Sequence, residues 1–211
     1  MSRRLSSALL AGAPGVALAV AGLFHPYGLR YESAPTWTQL HLVGLFVFPL
    51  VGLALAGLVR GRTDPVSWAV RLTALVYATA YSALDVISGI GAGYVTWRLG
   101  EGAERPDEVW YLFSIGGRIG EVGSWALILC AVAVATDALQ RLGAPAVPGV
   151  LLMPGAALVH VDHIFSPYGV LGMLLIGVGT GWLAWSARDE QESISAPARS
   201  RHSTGRGPGR R

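Results

Sequence analysis

The sequence predicts an all-α fold: a polytopic transmembrane bundle of six spans with both chain ends on the cytoplasmic side. Three observations carry this. Hydrophobic residues make up 52% of the 211 residues and charged residues only 14%, and the mean hydropathy is +0.48. A soluble domain carries nearer a quarter charged residues, and a globule of this size cannot hide so much apolar surface. Runs near the length a helix needs to cross a bilayer recur six times. The arginines are spread unequally over the segments between them.

The expected spans cover 6–24, 39–59, 66–91, 119–138, 147–165 and 168–185. Each must be helical, because a backbone in lipid has to satisfy its own hydrogen bonds. The fifth is interrupted by Pro148 and Pro154, and only Ser166 and Pro167 separate it from the sixth. A residue before proline leaves the α region, so a tight helical hairpin is expected there, with a re-entrant loop as the alternative. Ser2-Arg3-Arg4 ahead of an apolar run also resembles a signal sequence, with Ala17-Leu18-Ala19 as a cleavage site. An uncleaved first span is preferred; cleavage would leave five spans.

Orientation follows from charge. All sixteen basic residues are arginine. With the amino terminus inside, inner segments hold Arg3, Arg4, Arg60, Arg62, Arg71, Arg141 and the six tail arginines, whereas outer segments hold Arg30, Arg98, Arg105 and Arg118. The reverse orientation inverts the bias that membrane proteins follow. Arginine without lysine, among abundant Ala, Gly, Val and Leu, points to a bacterial inner membrane. The stretch 187–211 is rich in Ser, Gly, Pro and Arg and includes His202. It cannot bury a core, so it is expected to be a disordered cytoplasmic tail resting against anionic lipid and not a nucleic-acid arm. The loop 94–118 is expected outside, its acids solvated and its aromatic group Trp110, Tyr111 and Phe113 forming a short amphipathic segment at the interface.

Several chemistries are excluded. The single cysteine, Cys130, rules out an internal disulfide, a CxxC pair and a cysteine-based zinc site. Gly89-x-Gly91-x-Gly93 lies at the end of a span with no preceding strand, so it is not a nucleotide loop. The G-x-x-x-G pairs Gly89/Gly93, Gly116/Gly120 and Gly177/Gly181 are expected to allow close helix packing. Asp137 with Arg141, and Arg118 with Glu121, have the spacing of ion pairs along a helix. Phe24-His25-Pro26-Tyr27-Gly28 echoes Phe165-Ser166-Pro167-Tyr168-Gly169, which suggests shared turn chemistry.

The candidate site is a convergence of histidines. His25 ends the first span, His41 opens the second, and His160 and His163 lie near the same end of the fifth. Positions i and i+3 share a helix face, so the two imidazoles of His160-Val161-Asp162-His163 are expected side by side, with Asp162 turned away. Asp85 lies inside the third span, where a carboxylate costs about 2.5–3.5 kcal/mol on insertion scales; its expected partners are His41, His160 and His163, with Arg118 as a surface-side alternative. Imidazole with carboxylate suits zinc, copper or iron, and two histidines from different helices suit haem. The first expectation is therefore a metal- or haem-binding membrane protein with its site near the outer face. The second is a proton-coupled carrier using Asp85, and the third is an interaction or assembly protein with no chemistry.

Overall fold

The computed structural model describes residues 2–104 and 106–195. It is all helical over those residues, with six helical runs long and apolar enough to cross a membrane. Helix α1 (Arg3–Leu23) is followed by α2 (Ala34–Gly57). The third run joins α3 (Pro65–Leu84), a π-helical segment (Asp85–Gly91) and α4 (Ala92–Leu99) without a break. The fourth is α5 (Asp107–Leu142). The fifth joins a 3-10 segment (Ala144–Leu151) to α6 (Leu152–Asp162), and the sixth is α7 (Tyr168–Ser195). The protein is a multi-pass membrane bundle.

The six runs form a closed ring in chain order, each packed against the next and the last returning to the first. Neighbours are antiparallel. Gly44 meets Asp85 and Gly52 meets Ala74 across α2 and α3; Gly116, Gly120 and Gly123 of α5 meet Ser88, Leu84 and Tyr81 in descending order. Gly155 meets Gly172 across the α6–α7 hairpin. Helix α1 is built into the ring through Gly12 and Gly15, where a Cβ would stand 2.8 Å from the Gly177 oxygen and 2.6 Å from its nitrogen respectively. Close backbone approach of this kind is how helices gain contact where lipid offers no hydrophobic drive. The Gly116/Gly120 and Gly177/Gly181 pairs thus pack as expected.

Several helices are longer than their expected spans, the third, fourth and sixth runs most of all. The third run extends through Leu99 and not only to residue 91. Helix α5 starts at Asp107, twelve residues before the expected 119, and its 36 residues rise about 54 Å. Trp110, Tyr111 and Phe113 therefore lie in the first turns of a continuous helix and not in a separate interfacial segment. The physical cause is a good helix start: Pro106 at the N-cap, with Asp107 and Glu108 in the first turn against the positive end of the helix dipole. The fifth run ends at Asp162 and not at 165, and it begins as a tight 3-10 turn that accommodates Pro145 and Pro148. The expected hairpin forms between α6 and α7. Helix α7 continues to Ser195, past the expected 185, because Ala187-Arg188-Asp189-Glu190-Gln191-Glu192 is mostly strong helix formers. Arg105, His202 and the basic stretch 196–211 lie outside the described residues.

The two ends of the bundle differ. At one end, Asp64 caps α3 by accepting from the Ser67 amide at 3.0 Å, and Arg62 in the α2–α3 turn reaches both Asp64 and Asp137 at 2.8 and 2.7 Å. Those contacts, the Ser67 amide first, hold the Asp64 carboxyl below the usual carboxylate range. Arg141 completes the expected i, i+4 pair with Asp137 at 2.8 Å. Arg118 and Glu121, by contrast, form no ion pair with each other; both are exposed on α5. At the other end, a small second core of Leu29, Ala34, Trp37, Ala92 and Val109 ties α2 to α4 and to the start of α5.

The α1–α7 contact makes a direct test. Gly177→Leu places a side chain against the backbone of α1 and should destabilise the bundle by about 1–3 kcal/mol, the usual cost of overpacking. Gly117→Leu, at a position where a Cβ meets nothing within 4 Å, should leave the melting temperature in detergent unchanged or raised.

Candidate metal centre

The site lies where α2, the π-helical segment and the end of α6 meet, beside the small second core. One donor atom each from His41, Asp85 and His163 lie within 4.8 Å of one another. Asp85 is 0% exposed and neither carboxylate oxygen has a hydrogen-bond partner. His163 Nε2 is also buried without a partner. This is a buried His/His/Asp cluster able to coordinate a metal ion. Donors bound to zinc at about 2.1 Å in a tetrahedron stand about 3.4 Å apart, so small side-chain movements would close the set.

Local structure aims each donor. His41 sits two turns into α2, 5% exposed, with Nδ1 2.8 Å from the Trp37 carbonyl. A carbonyl only accepts, so Nδ1 carries the proton and Nε2 keeps its lone pair. This is the second-shell bond that commonly orients a metal-binding imidazole. Asp85 opens the π-helical segment. Such bulges recur at functional sites, because the extra residue redirects side chains within a continuous helix. The segment is pinned from both sides: the Trp37 indole donates to the Ser88 carbonyl at 3.1 Å, and the Ser88 hydroxyl donates to the Leu112 carbonyl at 3.0 Å. Two glycines make room. A Cβ on Gly44 would stand 2.7 Å from Asp85 Oδ2, and one on Gly89 would overlap the His41 ring.

His163 is placed by a break in the helix. It follows the last residue of α6 with φ 50° and ψ −117°, a conformation that costs a residue with a Cβ on the order of 1–3 kcal/mol. Its ring packs against Phe48 and Tyr81, with centroids 5.5 and 5.3 Å away. His160, still helical, points elsewhere: its Nδ1 is 2.8 Å from the Ser124 hydroxyl and its ring 4.6 Å from Trp125. The two histidines therefore do not share a face, because the i, i+3 argument holds only while the helix continues. His160 is not among the clustered donors, and Arg118 does not pair with Asp85.

His25 lies beside the cluster. Its ring centroid is 5.0 Å from that of His41 and 6.4 Å from that of His163. Nδ1 donates to the Pro26 carbonyl at 2.9 Å, and Nε2 is buried with no partner. Burial lowers its pKa below the ordinary imidazole value, with the Pro26 bond opposing, so Nε2 offers a lone pair at neutral pH. The two echoed turns meet here. Tyr27 stacks on Phe165 at 6.0 Å and donates to the Ser166 carbonyl, and His25 packs on Phe165 at 4.5 Å.

A cavity of about 500 Å³ opens against the cluster, with His41 and His163 in its wall. The sequence reading missed it, along with the seating roles of Gly44, Gly89 and Trp37. The G-x-G-x-G run was the available signal for a tight fit around His41, but glycine spacing does not say which ring fills the space. Compared with protein-family models, with curated proteins and with solved structures, the chain matches none.

Gly89→Ala should displace the His41 ring without removing any donor. The expected outcome is a stability loss of about 1–3 kcal/mol and a changed fluorescence of the adjacent Trp37. Ser124→Ala, which removes the hydroxyl's contacts with His160 and with the Glu121 carbonyl, should leave the tryptophan environment at His41 as it is.

Proposed function

We propose that this protein is a metal-binding membrane protein whose centre holds one first-row divalent ion, zinc or iron(II), through His41, Asp85 and His163, with His25 as the reserve fourth donor. The observation that carries the reading is the convergence of three donor groups around a carboxylate that is fully buried and has no hydrogen-bond donor. Removing a carboxylate from water is costly unless it is paired or coordinated, and a cation at the shared point meets that requirement. Two imidazoles with one carboxylate suit iron(II) when positions stay open, and a third imidazole suits zinc.

A bare ion fits better than haem. The donors converge on one point, and the rings of Trp37, Phe48, Tyr81 and Phe165 stand close around the imidazoles. Such close aromatic packing favours a compact ion over a macrocycle between two axial ligands. The arginine bias supports an orientation in a bacterial inner membrane with both chain ends on the cytoplasmic side and the cluster toward the exterior. The arginines of the stretch 196–211 would then rest on anionic inner-leaflet lipid.

The competing reading is a proton-coupled carrier. It draws on the same carboxylate, which a proton would also make uncharged. Under that reading the protein is metal-free, and liposome flux depends on pH and disappears in Asp85→Asn.

The test is elemental analysis of the purified full chain after reconstitution with zinc or iron(II). About one ion per chain is expected, reduced at least tenfold at limiting metal in His41→Ala, Asp85→Asn and His163→Ala and unchanged in His160→Ala. Thermal unfolding adds a sign. At metal a hundredfold above Kd the wild type should gain about 2.7 kcal/mol, and Asp85→Asn should gain none. After chelation the order reverses, because the amide removes a buried unpaired charge. A wild type that stays metal-free, or variants that keep their ion, would end the proposal.

A further inference from the structure

We infer that the ion's free coordination position faces the cavity between α2, α5 and α6 and takes the head group of a neutral, largely apolar molecule. This deepens the metal reading above and rests on it.

The placement of the donors gives the direction. Asp85 is fully buried and does not reach the cavity, whereas His41 and His163 both line it. The carboxylate would hold the ion from behind, and the two imidazoles would hold it at the wall. The side left without a protein donor is the cavity side. An ion with such an open position binds a further ligand, whereas a purely structural ion is enclosed on all sides.

The walls give the chemistry. A volume of about 500 Å³ is in the range of small-molecule sites. Most of the lining surface is apolar, with Trp37, Phe113 and Phe165 toward the second core and Leu84 toward the main one. Besides His41 and His163, the polar lining consists of the His160–Ser124 pair, the hydroxyl residues Tyr81 and Ser88, and two carboxylates, Glu121 and Asp162. No arginine is among the lining residues. An anionic ligand would meet two carboxylates with no guanidinium to offset them. A neutral molecule places an apolar body against the aromatic rings and a single Lewis-basic head on the ion, within reach of a cavity wall that already carries His160.

Gly117 allows a clean test. It lines the cavity, and a Cβ there meets nothing within 4 Å, so a large side chain fills the cavity without disturbing the α3–α5 packing or any donor. The experiment loads the full-length protein with cobalt(II) in detergent and follows its visible bands. The probes are 4-phenylimidazole, which is neutral with an apolar body, and benzoate, which is anionic. The expected result is a saturable band shift with 4-phenylimidazole at a Kd at least tenfold below that of benzoate. Gly117→Trp should keep one cobalt per chain and its bands while weakening 4-phenylimidazole at least tenfold, and Gly117→Ala should bind it as the wild type does. Bands that stay fixed at saturating 4-phenylimidazole would show a closed centre and overturn the inference while the metal reading stands. Equal or tighter binding of benzoate would overturn the charge argument, and an unaffected Gly117→Trp would overturn the cavity as the route. Failure to bind cobalt at all would remove the metal reading itself, and the inference with it.

Discussion

The organisation of this bundle depends on how it disposes of one carboxylate. Asp85 is fully buried and accepts no hydrogen bond, in a part of the molecule where an uncompensated charge is most expensive. Its neighbours do not help as they stand. His41 and His25 have each committed Nδ1–H to a backbone carbonyl, so in the neutral state both turn a lone pair, not a proton, away from that bond. Asp85, His41 and His25 are therefore acceptors gathered in one place. Acceptors that face one another repel unless a proton donor or a cation lies among them, and a metal ion is one species able to fill that role.

The fold supports this gathering with several departures from regular structure, all within a short distance of one another. The helix carrying Asp85 switches to π geometry at that residue, and α6 ends one residue before His163, which takes a positive φ. Gly44 and Gly89 give up side chains so that the carboxylate and an imidazole can approach. Each departure has an energetic cost, and none is needed to build an antiparallel helical ring. Local rules that fail together at one place mark a functional site better than any of them alone.

The parts of this arrangement that the sequence exposes are the ones governed by composition and periodicity. Six apolar runs were legible because lipid requires long uncharged helices, and the Asp137–Arg141 pair was legible because i, i+4 spacing is local. His25, His41, His163 and Asp85 could be gathered from topology alone, since antiparallel runs bring residue 41 beside residue 85. The early start of α5 was also written in Pro106-Asp107-Glu108, but the charges there read as loop. The separation of His160 from His163 was not legible. It depends on where α6 stops, and helix ends are set by tertiary contacts such as the packing of the His163 ring on Phe48 and Tyr81. The cavity was equally hidden, because a space between helices belongs to no residue.

The comparison within the molecule is the most telling. Asp137 and Asp85 are both buried carboxylates on long membrane helices, at opposite ends of the ring. Asp137 receives two guanidinium groups, from Arg62 and Arg141, and these leave it fully paired. The same chain, with arginine freely available, supplies none to Asp85 and surrounds it instead with imidazoles and aromatic rings. A purely structural acid would be expected to resemble Asp137, since a permanent cation is the simplest way to stabilise a carboxylate in a bundle. Imidazoles differ from guanidinium in one decisive respect: they can present a lone pair. Surrounding Asp85 with such groups in place of a guanidinium gives up permanent neutralisation for a set of donors able to coordinate a metal ion.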